Sequence, residues 1–263
     1  MKFNNAICCI IKDEKYLEEF IIYHYLIGVE HFYIYDNESK IPLNKRLNHD
    51  FFKKYCTIFE TKGNAKQTKV YNECIEFTKN TVNWLIILDG DEFIYLKKHK
   101  NINNFLNDYK DFHAIGLNWL MFGSSFHEKI QKGLIIENYL YCDDTQNQHI
   151  KTICKPRNVI RVENPHYVVL KNPQLSIDTH KNIIKGPFNK NNNSDIALIH
   201  HYWGKSMEDM EIKINRGRAT GQPNRKMPKN YHSMYNKKFN NDLMKNYSKK
   251  IKDTMQMYNI KIN

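Results

Sequence analysis

The sequence predicts an α/β protein in which a mostly parallel central sheet is flanked by helices on both faces. Short apolar runs alternate with segments of helical periodicity through the N-terminal third of the chain. These runs show no polar alternation, which is typical of strands covered on both faces. Acidic or amide residues follow several of the runs directly. With 263 residues, the chain is long enough for one large α/β domain with additions or for two small domains.

Strand, helix and strand are predicted within the first 36 residues. Residues 6–11 form an apolar run that ends at a charged break. Residues 17–27 carry apolar side chains at helical spacing, and Gly28 ends that helix. Residues 29–35 form a second run, which ends at Asp36. This order is the outline of a right-handed βαβ unit.

The same alternation continues to the predicted central strand. A loop and short helix at 40–55 precede a third strand at 56–59, a helix at 65–80 and the central strand at 84–88. The carboxyl ends of parallel strands meet at one edge of a sheet. We therefore expect Asp13, Asp36 and Asp89, which follow three of these strands, to project from the same edge.

The central strand runs directly into an acidic cluster of Asp89, Asp91 and Glu92. Gly90 lets the backbone turn or approach a ligand closely. Open α/β sheets bind ligands at the carboxyl ends of their strands. Because these acids repel one another and burial would raise their pKa values, a hard divalent cation such as Mg²⁺ or Mn²⁺ would stabilise the cluster. The alternative is a turn whose acids face water.

The pattern changes after Phe93, and shorter elements are predicted. A short helix is expected at 101–109. Shorter strands are expected at 114–120, 134–141, 151–154, 159–161, 167–170 and 196–199. Residues 171–195 are polar and irregular. A helix is predicted at 205–218, and an amphipathic helix with basic flanks begins after residue 240.

The net charge of +12 is concentrated at the C-terminus. From Arg225 onward, one arginine and nine lysines stand against two aspartates, a net charge of +8. Such a tail suits an anionic membrane surface or another polyanion, and it equally suits a solubilising face. Basic residues interleaved with aromatics on one face are not evident, so nucleic acid is not expected as a partner. The pattern leaves the oligomeric state open.

The six cysteines include no CxxC pair, which argues against a zinc site. Cys8 and Cys9 lie in an apolar run and are expected to be reduced core residues. The sequence shows no signal peptide and no apolar run near the ~20 residues needed to span a bilayer. We therefore expect a cytoplasmic protein, with the tail allowing a peripheral position at the inner face of the membrane.

An ordered series of motifs resembles a known family. The motif segments are 11–14, 23–24, 28–37, 67–72, 84–93, 118–119, 122–125, 201–202, 205–206 and 213–217. Together they resemble a GT-A glycosyltransferase of the family 92 type and its glycosyltransferase family 2-like relatives. The resemblance implies a Rossmann-like GT-A domain at 1–220, with a nucleotide-binding half at 1–95 and a smaller, mixed acceptor-side half at 96–220. Residues 221–263 form a basic, partly helical tail without a motif of that series.

The resemblance implies a metal-dependent inverting transfer of a hexose, such as galactose, from a nucleotide-diphosphate sugar to a glycan or lipid-linked saccharide. A UDP-sugar is the favoured donor, with Mn²⁺ or Mg²⁺ bridging the diphosphate, whose charge grows as the glycosidic bond breaks. Asp89, Asp91 and His201 would hold the metal, with His200 as the alternative to His201. Asp91 would be catalytic through this role.

The resemblance also implies donor-binding residues around the predicted metal site. These are Lys12, Asp13, Glu14, Asp36, Gln67, Asp89 and Lys205. Asp36 would accept a hydrogen bond from the base or ribose, although Asp-Asn is also an ordinary turn sequence. Lys205, Lys213 and Arg216 would reach the diphosphate or an anionic acceptor, or else form a solvated basic face.

The general base is the least defined role. An inverting enzyme needs a general base to deprotonate the acceptor hydroxyl, and a carboxylate is expected in this role. Glu128, Glu137, Asp143 and Asp144 follow the acceptor-side segment, and Glu137 is favoured because the family pattern has a glutamate there. Two aromatic residues in that segment, Trp119 and Phe122, suit either sugar stacking or the core.

Two rival functions follow from other features. The first is a non-catalytic module that binds polyanions or membranes through the basic tail. The second is nucleotidyl transfer, which would share the acids at the sheet edge. That reaction would require a glycine-rich phosphate loop near the N-terminus, and the sequence has none.

Overall fold

The computed structural model describes residues 1–64, 66–191, 193–217, 225–240 and 243–262. Ala65 and Arg218, the terminal residues of two predicted helices, lie outside the described residues. Strands and helices alternate through the first part of the chain. The strands are β1 (Phe3–Ile11), β2 (Phe32–Asp36), β3 (Cys56–Glu60) and β4 (Val82–Ile87). The helices are α1 (Leu17–Leu26), α2 (Leu43–Arg46), α3 (Asp50–Tyr55) and α4 (Gln67–Thr78).

The first four strands form a parallel sheet, as predicted. β1 lies between β2 and β4, and β2 also pairs with β3. Ile11 at the end of β1 lies opposite Asp36, and Cys8 lies opposite Ile87. The chain therefore leaves β1, β2 and β4 at one common edge, which we call the carboxyl edge.

Shorter elements complete the fold. The strands are β5 (Glu92–Leu96), β6 (Ala114–Met121), β7 (Tyr141–Cys142), β8 (Asn147–Cys154), β9 (Val159–Asn164), β10 (Tyr167–Leu170), β11 (Ser176–Ile177), β12 (Ala197–His201) and β13 (Lys238–Phe239). The helices are α5 (Ile102–Asn107), α6 (Ile135–Asn138), α7 (Met207–Arg216) and α8 (Ser248–Met257). Short 3₁₀ turns lie at Pro156–Asn158, Pro173–Leu175, Tyr231–Ser233 and Leu243–Tyr247.

The central sheet has the strand order β3-β2-β1-β4-β8-β6-β12-β5, with β11 beside β6. Among these described strands, only β8 and β5 run against their neighbours. The sheet is therefore mostly parallel, which confirms the predicted architecture at this level. Two antiparallel pairs, the β9–β10 hairpin and the β7–β13 pair, lie outside it.

Two cores explain why the central strands lack polar alternation. Along β1, Ile7 and Cys9 face one apolar cluster, and Cys8 faces the other. Successive side chains of a strand point to opposite faces, so both sets must be apolar when both faces are covered. α1, α5 and α8 cover the first face, and α4 with the β9–β10 hairpin covers the second.

Two predictions about individual elements were wrong. Residues 134–141 were expected to form a strand, but they hold α6, because the Glu19 carboxylate accepts the N–H groups of Ile135 and Ile136 at 2.7 and 3.2 Å and so starts a helical turn. β5 was missed, because its partner β12 lies about a hundred residues further on in the antiparallel pairing of Phe93 with His200.

The C-terminal helix α8 belongs to the main core. Ile251 and Met255 are fully buried in the cluster that also contains α1, and Ile260 follows them. The predicted amphipathic character is confirmed by this buried stripe. No helix in the described ranges is long and apolar enough to cross a membrane.

Candidate active site

A cavity of about 880 Å³ opens at the carboxyl edge of the sheet. It is lined by the ends of the parallel strands, the start of β8, the turn between β9 and β10, and the last turn of α7. The titratable residues in its lining are Lys12, Glu14, Asp89, Asp91, His149, His166, His201, Lys213, Arg216, Arg225 and Tyr235. The edge predicted to bind a ligand is thus a concave surface of mixed charge.

Asp89, the first acid after β4, is held by three side chains. Gln67 and Tyr71 on α4 donate to its Oδ1 at 2.7 and 3.1 Å, and the Lys151 ammonium on β8 donates to its Oδ2 at 2.9 Å. Burial is the largest effect and raises the pKa of Asp89, but the charge and the hydrogen bond of Lys151 act together against it, and the pKa falls below its usual value. Asp89 is therefore an oriented carboxylate.

Glu92 supports Asp89 from behind. It is fully buried, and its Oε2 accepts the Asp89 backbone N–H at 2.9 Å and lies 3.5 Å from Lys151 Nζ. Burial raises the pKa of Glu92 well above its usual value, with the Asp89 charge adding to the effect. Glu92 is absent from the cavity lining, so it supports Asp89 and does not itself face the cavity.

Asp91 faces both an ammonium and an imidazole. Lys213 Nζ on α7 donates to its Oδ2 at 2.6 Å, and His201 Nε2 at the end of β12 lies 3.5 Å from its Oδ1. Burial raises the pKa of Asp91, but the charges of Lys213 and His201 outweigh it, and the pKa falls well below its usual value. Asp91 is therefore ionised although it is almost fully buried.

Strand alternation selects His201 over His200. The His201 ring lines the cavity and packs against Trp119 at 4.4 Å between ring centroids. His200 points to the other face of β12, where it packs against Tyr95 and Phe122. Since adjacent strand residues point to opposite faces, only one of the two histidines can share the cavity with Asp91.

Gly90 allows the acidic loop to lie against β1. A Cβ atom at Gly90 would lie 2.7 Å from Ile11 Cδ1 and 3.2 Å from Glu14 Cγ. The first of these distances is shorter than real contacts allow, so any larger residue would have to displace these side chains. The glycine thus keeps Asp89 and Asp91 close to the end of β1.

The segment after β1 is fixed by cations from the second half of the chain. Lys205 Nζ donates to Glu14 Oε1 at 2.7 Å, and Arg216 donates to the Lys12 carbonyl at 2.5 Å. Although burial would lower the pKa of Lys205, the Glu14 and Asp91 carboxylates outweigh it and raise this pKa. Lys12 and Glu14 both line the cavity, and their expected contacts with a donor stay a prediction.

The residues present fit a divalent metal ion only in part. Asp91 and His201 offer an oxygen and an imidazole donor that face each other, and His201 Nδ1 is buried without a hydrogen-bond partner among the described residues. The Asp89 oxygens are engaged by Gln67, Tyr71 and Lys151. Within the described ranges, no three His, Cys, Asp or Glu side chains cluster with metal-binding geometry.

The structure gives Asp13 and Asp36 other partners than a nucleotide. Both Asp36 oxygens accept backbone N–H groups, from Ser39 at 3.0 Å and Leu43 at 2.8 Å, so this side chain starts α2. Asp13 has a φ of 50° and accepts the Lys40 N–H at 2.7 Å. Neither lines the cavity: both residues lie at the carboxyl edge and organise its loops, and their expected donor contacts stay a prediction.

Glu137, the favoured general base, also lies elsewhere. Its carboxylate accepts hydrogen bonds from Ser248 and from Lys252 Nζ, both on α8, and it is not part of the cavity lining. The segment forms α6 rather than a strand leading into the cavity, and the expected role of Glu137 as general base stays a prediction. The alternatives Glu128, Asp143 and Asp144 are absent from the lining as well.

Sequence reasoning missed Lys151 and two histidines of the lining. The Lys151 side chain is 1% exposed, and it neutralises Asp89. His149 stacks on Trp119 at 5.1 Å between centroids with an interplanar angle of 17°, and His166 meets the same indole at 5.0 Å. A lysine between Ile150 and Thr152, within a predicted strand, was the one available signal, and nothing local marked the histidines.

The fold and the cavity define a mixed α/β protein with a charged ligand cavity at the carboxyl edge of its central sheet. The chain belongs to glycosyltransferase family 92, whose family model matches residues 6–257. The match includes α8 and thus extends beyond the segment in which sequence motifs were evident.

Curated relatives include family 92 proteins of two plants. A protein of Oryza sativa subsp. japonica is 25% identical over 221 residues, which cover 82% of this chain and 36% of that protein. A protein of Arabidopsis thaliana is 21% identical over 238 residues, with 84% and 38% covered. The chain therefore spans little more than a third of the length of these relatives.

Similar solved structures are distant. One is S. aureus TarS 1-349 in complex with UDP-GlcNAc, at 15% identity and a TM-score of 0.44, covering 79% of this chain and 61% of that one. Another is a putative glucose-1-phosphate thymidylyltransferase from Bacillus anthracis in complex with a sucrose, at 8% identity and a TM-score of 0.38, covering 59% and 72%. At these scores, neither likeness bears on substrate.

Proposed function

We propose that this chain is a metal-dependent, inverting GT-A glycosyltransferase domain, which moves a hexose such as galactose from a nucleotide-diphosphate sugar to a glycan or lipid-linked saccharide. One observation carries the proposal: Asp91 faces both His201 and Lys213 inside a cavity at the carboxyl end of β4. That edge is where open α/β sheets bind nucleotides. Membership of a glycosyltransferase family supports the reaction class.

The cations of the cavity suit a diphosphate. Lys12, Lys213, Arg216 and Arg225 all line it, so a donor placed there would meet several positive side chains. Negative charge grows on the diphosphate as the glycosidic bond breaks, and groups already oriented toward that charge stabilise the transition state. These side chains would hold the donor through its phosphates and leave the sugar directed toward the open cavity.

Asp91 and His201 would hold the metal ion. Mg²⁺ is often bound through one or two carboxylates together with substrate phosphates, so two protein donors suffice when the donor substrate completes the shell. A bound Mn²⁺ or Mg²⁺ would supply charge stabilisation for the leaving diphosphate. Asp89, whose oxygens are engaged by α4 and Lys151, would orient the loop and accept a ribose hydroxyl rather than bind the metal.

The nucleoside would lie where β1, β2 and α4 meet. Ile10, Asn37, Asn64 and Gln67 line this side of the cavity. Asn37 Nδ2 donates to the Thr61 and Gly63 carbonyls at 3.3 and 3.1 Å, which directs its oxygen away from them as an acceptor. An acceptor in this place suits the N3–H of a uracil base, and a UDP-sugar is therefore our favoured donor.

The tail would provide a second contact, with an anionic membrane surface that carries a lipid-linked acceptor. Lys249, Lys250 and Lys261 are exposed on or after α8. Each lysine near an anionic surface contributes about 1 kcal/mol. This peripheral contact would bring the domain to its acceptor while its core remains outside the bilayer.

Donor binding tests the proposed function. Purified protein is titrated with UDP-hexoses by calorimetry, with and without Mn²⁺, and UDP release is followed with saccharide acceptors. We expect Mn²⁺-dependent binding, and at least about a 100-fold weaker affinity for Asp91→Asn, since even outer-shell changes cost 10–100-fold. Glu76→Gln, an exposed acid on α4, is the matched control and should bind like the wild type.

Two results would overturn parts of this proposal. If the wild type binds and transfers no nucleotide sugar in the presence of Mn²⁺, the glycosyltransferase assignment fails. If it binds and transfers, but Asp91→Asn or addition of a chelator leaves affinity and turnover unchanged, the metal role fails while the enzyme class stands.

A further inference from the structure

The cavity contains no unpaired carboxylate among the described residues that could deprotonate an acceptor hydroxyl. Its lining acids are Glu14, Asp89 and Asp91. Each of them accepts a hydrogen bond from a lysine ammonium, at 2.7, 2.9 and 2.6 Å respectively. A carboxylate committed to an ammonium is a weak proton acceptor, because protonation would break the ion pair.

An imidazole pair lies in the same cavity. His149 at the start of β8 and His166 in the β9–β10 turn lie 5.3 Å apart between ring centroids, and both pack against Trp119. Phe188 makes an edge contact with His149, with 4.6 Å between the ring centroids. The aromatic residues hold the His149 ring in one plane, with its edge at the cavity lining.

Hydrogen bonds define the tautomer of His149. Asn147 Oδ1 accepts the backbone N–H of His149 at 2.9 Å and lies 2.8 Å from ring Nδ1. An atom that accepts from a backbone N–H is the amide oxygen, so it must also accept from the ring, and Nδ1 carries the proton. The Nε2 of neutral His149 is therefore a lone-pair acceptor, the form required of a general base.

Asn147 is itself fixed by a second asparagine. Its backbone carbonyl accepts from Asn118 Nδ2 at 2.9 Å, and Asn118 exchanges hydrogen bonds with Asn189 at 2.9 Å in each direction. Asn118 and Trp119, which are neighbours in the sequence, thus both support His149. Asn118 anchors the residue that orients the ring, and Trp119 supplies the surface on which the ring stacks.

On the basis of the proposed inverting transfer, we infer that His149 Nε2 is the general base of this enzyme. The acceptor O–H proton passes to Nε2, and the acceptor oxygen forms a bond to the anomeric carbon. The bond from that carbon to the diphosphate oxygen breaks, and its electron pair leaves with the nucleoside diphosphate. The imidazolium then returns the proton to solvent.

His149 suits this role better than His166. Burial, with the nearby Lys151 charge adding to it, lowers the pKa of His166 to about 3, so His166 accepts protons poorly. Burial also lowers the pKa of His149, but this ring is less deeply buried and no charged neighbour adds to the effect. The groups facing it are Asn147, Trp119, His166 and Phe188, of which only His166 titrates.

The test separates chemistry from donor binding. His149→Gln should lower kcat for transfer about 100-fold or more, the usual contribution of a general base. Its affinity for Mn²⁺–UDP-sugar by calorimetry should stay within about twofold of the wild type, because the donor contacts lie on other elements. Imidazole should rescue part of the activity of His149→Ala. His180→Gln, an exposed histidine outside the cavity, is the matched control.

Further measurements distinguish a general base from a residue that only supports the structure. The wild-type kcat should fall on the acid side of its pH profile as His149 becomes protonated. The low residual kcat of His149→Gln should not show this decrease at acid pH. The anomeric configuration of the product, read by NMR, should be inverted. Retained configuration overturns the inference, because a retaining transfer needs no such base.

The outcomes also distinguish this inference from the proposed function. A wild type that transfers the sugar, together with a His149→Gln variant that transfers it within threefold of the wild-type kcat, overturns the base assignment and leaves the enzyme class intact. A wild type that neither binds nor transfers a nucleotide sugar overturns the proposed function. A folded His149→Ala variant without imidazole rescue and with an unchanged pH profile also counts against His149.

Discussion

Buried lysines set the charge of the cavity acids. Lys151 faces Asp89 and Glu92, Lys213 faces Asp91, and Lys205 faces Glu14, so each acid of the cavity lining has an ammonium partner. Buried ion pairs of this kind contribute little net stability, but removal of one partner is costly, about 3–5 kcal/mol, because it leaves an uncompensated charge. The acids and lysines therefore form coupled pairs, and the effect of substituting one residue includes the cost of leaving its partner unpaired.

His24 shows the opposite case, a titratable residue that has no role in the cavity. It is fully buried on α1, its Nδ1 donates to the Phe20 carbonyl at 2.8 Å, and its Nε2 accepts the Ile94 N–H at 3.2 Å. Both ring nitrogens are thus satisfied. Burial lowers the pKa of His24 to about 3, with the Phe20 hydrogen bond opposing it, so His24 is neutral in the folded protein.

We predict that His24 makes the protein sensitive to acid. Its pKa is about 3 when folded and about 6.5 when unfolded. As the pH falls below 6.5, the unfolded chain binds a proton that the folded chain does not, so stability falls until the pH reaches about 3. The contribution approaches about 1.4 kcal/mol per pH unit.

Urea denaturation of His24→Gln at pH 7.5, 6.5, 5.5 and 4.5 tests this prediction. The variant should be less stable than the wild type at pH 7.5, since its hydrogen bonds and packing change. The difference in free energy of unfolding should shrink as the pH falls, because the variant lacks the proton uptake. A difference that stays constant across the series would exclude His24 as the source of acid sensitivity.

The acids of the site could be predicted from the sequence, but their lysine partner Lys151 could not, for a physical reason. The positions of Asp89 and Asp91 depend on local pattern, a buried run that ends in acids. The contact of Lys151 with Asp89 spans 62 residues and exists only because β8 inserts antiparallel between β4 and β6. The partner of an acid across a sheet depends on strand order, which local periodicity does not contain.

At the scale of elements, strands that depend on local pattern were predicted, and elements that depend on distant partners were missed. The fully buried runs β1 and β4 are visible in the sequence because both of their faces contact apolar clusters. α6 was mistaken for a strand because its start depends on Glu19, a residue more than a hundred positions earlier. Short elements thus depend on tertiary partners more than on their own propensity.

The helix α7 brings Lys213 and Arg216 to the cavity and begins with a capping box. Ser206 Oγ accepts the Asp209 N–H at 3.1 Å, and Asp209 Oδ2 accepts the Ser206 N–H at 3.3 Å. This reciprocal pair satisfies two backbone donors that the first turn leaves unpaired. The start of α7 is therefore fixed by local chemistry, and its last turn is held by Asp91.

We predict that Ser206→Ala lowers the free energy of unfolding by about 1 kcal/mol, the usual cost of losing a helix N-cap. Ser206→Gly should cost only a few tenths of a kcal/mol, because glycine is tolerated at this position. Chemical denaturation of the three proteins measures the difference. Equal destabilisation by both substitutions would show that the hydroxyl packs in the core rather than caps α7.

At the scale of the whole molecule, the basic tail has two distinct parts. Its apolar side chains Met244, Ile251 and Met255 complete the core beside α1, and Tyr247 contacts Tyr23 at 5.2 Å between ring centroids. Its exposed lysines face solvent. Deleting the tail would thus expose core surface and remove charge at once, so a truncation cannot separate folding from surface binding.

We therefore predict that substitution of charge alone separates the two roles. Lys249→Gln, Lys250→Gln and Lys261→Gln together remove three exposed charges and leave the buried stripe of α8 in place. At about 1 kcal/mol per lysine, binding to vesicles with anionic lipid should weaken by roughly two orders of magnitude, with the thermal midpoint nearly unchanged. Sedimentation with vesicles of phosphatidylcholine and phosphatidylserine measures binding, and pure phosphatidylcholine is the lipid control.

Raised salt should weaken vesicle binding of the wild type in the same way, since exposed charges are screened within about 8 Å at physiological ionic strength. Equal sedimentation of variant and wild type would mean that the tail lysines keep the domain soluble and do not direct it to a membrane.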